Sequence, residues 1–251
     1  MKKTALLLFV LFCAVPGFAQ NSFIPTNVWF PHIDVGGDPN GLHYVTLVQA
    51  SNNTSSFTTA TLVVYSDAGT QLSASFDGQA AATSLTFNLD SGATRQIQVT
   101  LSGAITAGWI QITYNPAPAQ TNVILQYLSG SSVLTEVGIP PFYDTGSEMS
   151  STYFPVETSA NLNTGIAIAN PNNSALNITF QLMNEAGQVI DTTKRQLPPF
   201  QHIAFFLTEL FPNDPPMVGR VQFFCTNPMV SVGLRFAPSG LFTTLPPVAI
   251  D

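Results

Sequence analysis

Hydrophobic and polar residues alternate along most of this chain. Leu85, Phe87 and Leu89 form one row, Ile97, Val99 and Leu101 a second, and Ile110, Ile112 and Tyr114 a third. Further along come Ile178, Phe180 and Leu182, then Val221, Phe223 and Cys225, and then the longest row, Val230, Val232, Leu234 and Phe236. A period of two sends successive side chains to opposite faces of a strand, so each row predicts a strand with one buried face. The polar partners are mostly Thr, Ser, Gln and Asn, which suit a solvated sheet face that carries no charge. Phe205 to Phe211 breaks the period and predicts a short helical crossover that ends before Pro212.

Turn residues fall between the rows. Asp67-Ala68-Gly69 and Glu185-Ala186-Gly187 read as hairpin loops with Gly in the left-handed position. Asp38-Pro39-Asn40-Gly41 has the residue order of a type I turn, and Asp90-Ser91-Gly92 separates two rows. Short strands with regular turns predict an all-β sandwich or barrel.

The pattern occurs twice. Trp29-Phe30-Pro31 recurs as Tyr153-Phe154-Pro155, Asn52-Asn53 as Asn172-Asn173, and Asp67-Ala68-Gly69 as Glu185-Ala186-Gly187. Gly108-Trp109-Ile110-Gln111-Ile112 recurs as Gly219-Arg220-Val221-Gln222-Phe223, Asn115-Pro116 as Asn227-Pro228, and Pro140-Pro141 as Pro246-Pro247. The order never breaks and the offsets shrink along the chain, as in a duplication whose second copy has shorter loops. We expect two tandem immunoglobulin-like β-sandwich domains, residues 27–142 and 153–251, joined by a polar linker at 143–152.

Composition narrows the function. Only 8% of the residues are charged, against about 25% in a typical soluble domain. Seven Lys+Arg face 14 Asp+Glu, for a net charge of -7. There is no basic stripe for nucleic acid, too little Lys for a long coiled coil, and too much Val, Ile, Leu and Phe for disorder. The N-terminus reads as a secretory signal peptide over residues 1–19. Lys2 and Lys3 precede an apolar run from Ala5 to Val15, and Gly17 and Ala19 place small residues ahead of a cut before Gln20. The run is shorter than the ~20 residues a span needs. Phe12 stands where a lipoprotein site at Cys13 would need a small residue. Cleavage leaves a single cysteine, Cys225, and so no internal disulfide. The expected product is exported, periplasmic or extracellular, with no membrane span after cleavage.

Two stretches carry a family resemblance. Phe30-Pro31-His32-Ile33-Asp34-Val35-Gly36-Gly37 and Gly165-Ile166-Ala167-Ile168-Ala169-Asn170-Pro171-Asn172 resemble the openings of uncharacterised tandem β-sandwich repeat modules found in secreted bacterial proteins. Leu234-Arg235-Phe236 with Phe242-Thr243-Thr244-Leu245-Pro246 is similar to their close. The resemblance covers nearly the whole chain after residue 19 and implies a secreted sandwich with no catalytic residues to carry over. The first copy departs from the pattern at Ser51-Asn52 and at Glu136-Val137-Gly138.

Candidate chemistry is sparse. No Gly-x-Ser-x-Gly, Ser-x-x-Lys, Cys-x-x-Cys, His-Glu-x-x-His or phosphate loop occurs. His32, Asp34, Asp38 and His43 form the densest polar cluster, and such groups bind transition metals or serve acid–base work. Asp38 has a full account as a turn residue, and the second copy has Val156 in the His32 place, so we assign no metal and no cofactor. His202, alternating with Ile203, reads as a surface strand position. Cys225, matching Tyr114, reads as an inert core thiol. Trp109 alternates with the inward Ile110, Ile112 and Tyr114. It is therefore expected on the outward face with Gln111, joined by Gln126 of the next row, where an indole beside amides suits stacking on a sugar ring. The competing reading has Trp109 covered by the neighbouring unit or a loop. Three functions follow in order: a non-catalytic structural or adhesive protein of the bacterial envelope or exterior, a weak carbohydrate-binding module using Trp109, and a secreted hydrolase. The partners implied are surface glycans or other envelope proteins.

Overall fold

The period-two rows are strands in the computed structural model, which describes residues 27–38, 40–116, 119–144, 150–159, 162–238 and 240–249. The expected signal peptide and its cleavage site lie outside the described residues. The first half contains β1 (Asn27–Gly37), β2 (Leu42–Ser51), β3 (Thr58–Ser66), β4 (Ser75–Phe76), β5 (Ser84–Leu89), β6 (Thr94–Thr100), β7 (Thr106–Asn115), β8 (Gln120–Ser129), β9 (Ser132–Ile139) and β10 (Phe142–Tyr143). The second contains β11 (Ser151–Glu157), β12 (Asn163–Ala169), β13 (Leu176–Asn184), β14 (Val189–Leu197), β15 (His202–Phe206), α1 (Leu207–Leu210), β16 (Val218–Phe224), β17 (Val230–Phe236), β18 (Phe242–Leu245) and β19 (Val248–Ala249). The crossover predicted over Phe205–Phe211 is one helical turn, and Phe205 and Phe206 still belong to β15.

Pairing defines two layers in each half. In the first, the orders are β10-β1-β7-β3-β5 and β4-β6-β2-β8-β9, with the end of β1 pairing β2 so that one strand joins both layers. In the second they are β19-β11-β16-β13-β14 and β15-β12-β17-β18. Read in chain order these are the same sheets, β4 alone having no counterpart. The architecture is all-β and sandwich-like. Phe30, Leu62, Phe87 and Ile112 of one layer meet Val48, Ile97, Val123 and Val137 of the other in the first core. Phe154, Phe180 and Phe223 meet Ile166 and Ile168 in the second.

The shared landmarks do the same work in both halves. A Cβ on Gly108 would stand 2.0 Å from the Tyr65 carbonyl oxygen, and one on Gly219 would stand 2.1 Å from that of Met183. Only glycine lets these backbones approach so closely. One landmark shifts by two residues, because Asn52 corresponds to Asn170 rather than to Asn172. Both are fully buried. Asn52 Nδ2 donates to Ser56 O and Leu89 O at 2.7 and 3.0 Å, and Asn170 Nδ2 donates to Ser174 O and Leu197 O at 2.8 and 3.1 Å. The linker is shorter than the predicted 143–152, since Tyr143 pairs with Val28 and Ser151 opens β11.

Two rows depart from simple alternation. In β1 the core residues are Val28 and Phe30, then Ile33 and Val35, because a bulge between Phe30 and Ile33 adds a residue and flips the phase. Pro31, which has no N–H to give a ladder, occupies that bulge. In β17 the long row Val230–Phe236 faces the first half: Val230 joins Trp109, and Leu234 joins the first half's core. Gly233, in the opposite phase, faces its own core, where a Cβ would come within 2.9 Å of Phe154.

Candidate functional site

The densest arrangement of polar and aromatic side chains lies where the two halves meet. The bulge in β1 turns His32 and Asp34 away from the first core. The turn Asp67-Ala68-Gly69 after β3 forms as predicted, with Gly69 at φ 77°. It lies against the Pro198–Gln201 connection between β14 and β15, so closely that a Cβ on Gly69 would be 2.9 Å from Pro199 O. In that connection Phe200 has φ 60°, a conformation that costs a non-glycine residue about 1–2 kcal/mol. It is held by contacts across the seam, because Phe200 O accepts the Trp109 indole N–H at 2.8 Å. Tyr65 stacks on Trp109 with centroids 4.5 Å apart and on Phe200 at 5.8 Å.

Beside this aromatic stack runs a row of four titratable groups. Asp67 Oδ1 lies 2.7 Å from His202 Nδ1, His202 Nε2 lies 3.2 Å from His32 Nδ1, and His32 Nε2 lies 3.1 Å from Asp34 Oδ2. The backbone N–H of His202 also donates to Asp67 O at 3.2 Å. Both imidazoles are buried. Burial pushes the His202 pKa below its usual value and outweighs the Asp67 carboxylate, which is itself largely solvated. On the other side of Asp34, burial and the Asp34 charge together push Tyr44 up to about 12. A cleft of about 330 Å³ opens next to the row, between His32 and Asp34 and the Phe206, Glu209, Leu234 and Phe236 side chains. A larger groove of about 720 Å³ lies beside Gly36, His43 and Ile105.

The predicted platform does not assemble. Trp109 is fully buried rather than outward. It does point away from its own core, as alternation requires, but the second half covers it through Ala169, Val230 and Phe200. Gln111 lies on the same layer as Trp109 and reaches Asn27 Oδ1 at 3.4 Å. Gln126 lies on β8 in the opposite layer and donates to Glu136 at 2.8 Å. The chain changes layers between β7 and β8, and the spacing of the rows carries no sign of that crossing.

The predicted polar cluster divides as well. Asp38 is a turn residue, its Oδ1 accepting from Asn40 N at 2.8 Å and Leu42 N at 3.0 Å. His43 faces the larger groove. His32 and Asp34 stay together but recruit His202 and Asp67 instead. Among the described residues no group of three or more His, Cys, Asp or Glu side chains is placed to hold a metal ion. His202 is buried, not a surface position, because the Pro198–Gln201 turn presses it onto Asp67. No sequence motif announces this pairing, which joins residues 135 apart. The sequence signal available was the recurrence of Asp67-Ala68-Gly69, whose second copy opens on Glu185, exposed at the Asp67 position.

Cys225 lies one residue beyond β16 and is half-buried, not fully inward. Its Sγ donates to Asn227 O at 2.8 Å, and burial raises the thiol pKa. The thiolate is the reactive form. Labelling of the folded protein by a disulfide reagent at pH 7 is therefore expected to be at least about tenfold slower than that of the urea-unfolded chain. Stopped-flow or manual-mixing absorbance checks this.

No protein-family model matches the chain, and no curated protein matches it. Among solved structures, an anti-sigma factor domain-containing protein aligns over 89% of this chain and 97% of its own at 10% identity and a TM-score of 0.22. The major pilin subunit of Bacillus cereus aligns over 90% and 67% at 12% identity and 0.21. A β-glucuronidase of Bacteroides uniformis aligns over 93% and 27% at 11% identity and 0.20. Likenesses this slight carry no argument about function.

Proposed function

We propose that this chain is an exported, non-catalytic structural or adhesive protein of the bacterial envelope or exterior, built as two immunoglobulin-like sandwiches docked side by side. The carrying observation is the use made of its most versatile side chains. Trp109, His32 and His202 are built into the joint between the halves, where they fix one half against the other. Supporting this, the outer sheet faces carry uncharged cross-strand pairs. Gln49 and Gln96 bond at 2.9 Å, Ser51 and Thr94 at 2.9 Å, and Thr61 and Thr86 at 3.2 Å. Such pairs present many weak hydrogen-bonding groups to a neighbouring polymer.

The test uses the full chain expressed in a bacterium. Cell fractionation with N-terminal mass analysis is expected to find it outside the cytoplasm and beginning at Gln20. The purified protein is expected to bind envelope material or glycans weakly and to turn over no chromogenic glycoside, ester or peptide. Retention of Met1 in a cytoplasmic product would overturn the exported reading. Turnover that purifies with the protein would overturn the non-catalytic one.

A further inference from the structure

The Asp67–His202–His32–Asp34 row has three contacts, and each needs one hydrogen between its two heavy atoms. Ionised carboxylates bring none. The two imidazoles can therefore carry at most three hydrogens between them, one ring neutral and the other an imidazolium. Two hydrogens would leave one contact in the row without a proton between its two acceptors. Four would set N–H against N–H across the 3.2 Å gap between the rings. Asp34 and Asp67 reach solvent, which relieves a proton missing at an outer contact, but His202 has no exposed side-chain surface, so nothing relieves N–H against N–H between the rings.

We propose that this row is a proton-counting latch between the halves: it closes with at most one proton on the His32–His202 pair, and the uptake of a second proton opens the seam and uncovers Trp109. The direction follows from linkage. Two solvated imidazoles together bind two protons below about pH 6.5, whereas the closed row holds at most one. The open form then gains up to about tenfold in population per pH unit below that value. Burial, which already holds His202 below its ordinary pKa, acts in the same sense. The groups facing the pair are Asp67 from the turn after β3, Asp34 from β1, Tyr44 from β2 against Asp34, and Glu209 of α1 across the cleft. Glu209 is occupied by the Phe206 N–H at 2.8 Å. Of the other strands packed on β15, β12 has no titratable residue, and Tyr114 of β7 is turned into the core.

The chain's two tryptophans both lie at the seam, so fluorescence reads it directly. The experiment is acrylamide quenching of Trp109 in a Trp29→Phe chain from pH 8 to pH 5, with far-UV circular dichroism recorded on the same samples. A reversible, several-fold rise in the quenching constant below pH 6.5, with the β-sheet signal unchanged, is expected. The same rise should be absent in the chain that also carries His202→Gln. Should that variant not fold, histidine ¹⁵N spectra of the unsubstituted protein from pH 8 to pH 5 provide the second reading, with at least one ring of the pair expected to stay neutral as long as Trp109 is shielded. Equal shielding of Trp109 at both ends of the pH range would overturn the latch. So would an unchanged rise in the His202→Gln chain, exposure that comes only with loss of the sheet signal, or two charged rings in the pair while Trp109 is still shielded.

Discussion

Trp109→Ala is expected to lower the unfolding free energy by about 3–5 kcal/mol, the range for deleting a large buried aromatic side chain. Three losses combine. The indole is completely buried, its stack on Tyr65 goes, and Phe200 O loses its donor while remaining at the seam. Phe200 also loses the contact that holds its positive φ. Urea unfolding followed by circular dichroism measures the change. Gln126→Ala is the control and should shift stability by less than about 0.5 kcal/mol, because the Gln126 side chain bonds to the exposed Glu136 at the surface. If Trp109 were an exposed platform, the two substitutions would be equally mild.

Asn170→Ala is expected to cost about 2–4 kcal/mol, from burying polar groups without partners. Besides Ser174 O and Leu197 O, Asn170 Nδ2 holds Pro198 O at 2.9 Å, and Oδ1 accepts from Asn172 N at 2.9 Å. Alanine leaves those carbonyls without their donor in a dry site. Pro198 begins the turn that carries Phe200, so the change reaches the seam. The double substitution with Trp109→Ala should fall short of the sum by about 0.5 kcal/mol or more. Asn52→Ala removes the same device in the first half, where no such turn touches the seam. Its cost should add to that of Trp109→Ala within about 0.5 kcal/mol. Additivity in both pairs would mean that the Asn170 turn does not position the joint.

The alternation rows marked the strands well, since a two-residue period is a local consequence of backbone geometry. Ile97 with Val99 and Phe180 with Leu182 face the cores as their phase requires. The landmark glycines recur because a Cβ on Gly108 or Gly219 would stand 2.0 or 2.1 Å from the carbonyl oxygen of the neighbouring strand. Where reading by period failed, the cause was that burial has two sources. The row Val230–Phe236 is apolar because it meets the other half, and a strand carries no mark that separates its own core from a neighbour's surface. The bulge at Pro31 reversed a phase, and Gln126 lay one layer away from Trp109.

The sequence by itself determined that the chain is all-β and where most strands and turns fall. Both depend on residues a few positions apart. The tertiary structure alone decided the candidate site. His32 and His202 are 170 residues apart, and Asp67 and His202 are 135 apart. They meet only because the outer faces of two sheets pack together. Trp109 has an outward phase in its strand and is buried in the protein, since phase is set by the local backbone and burial by whatever the rest of the chain lays over it.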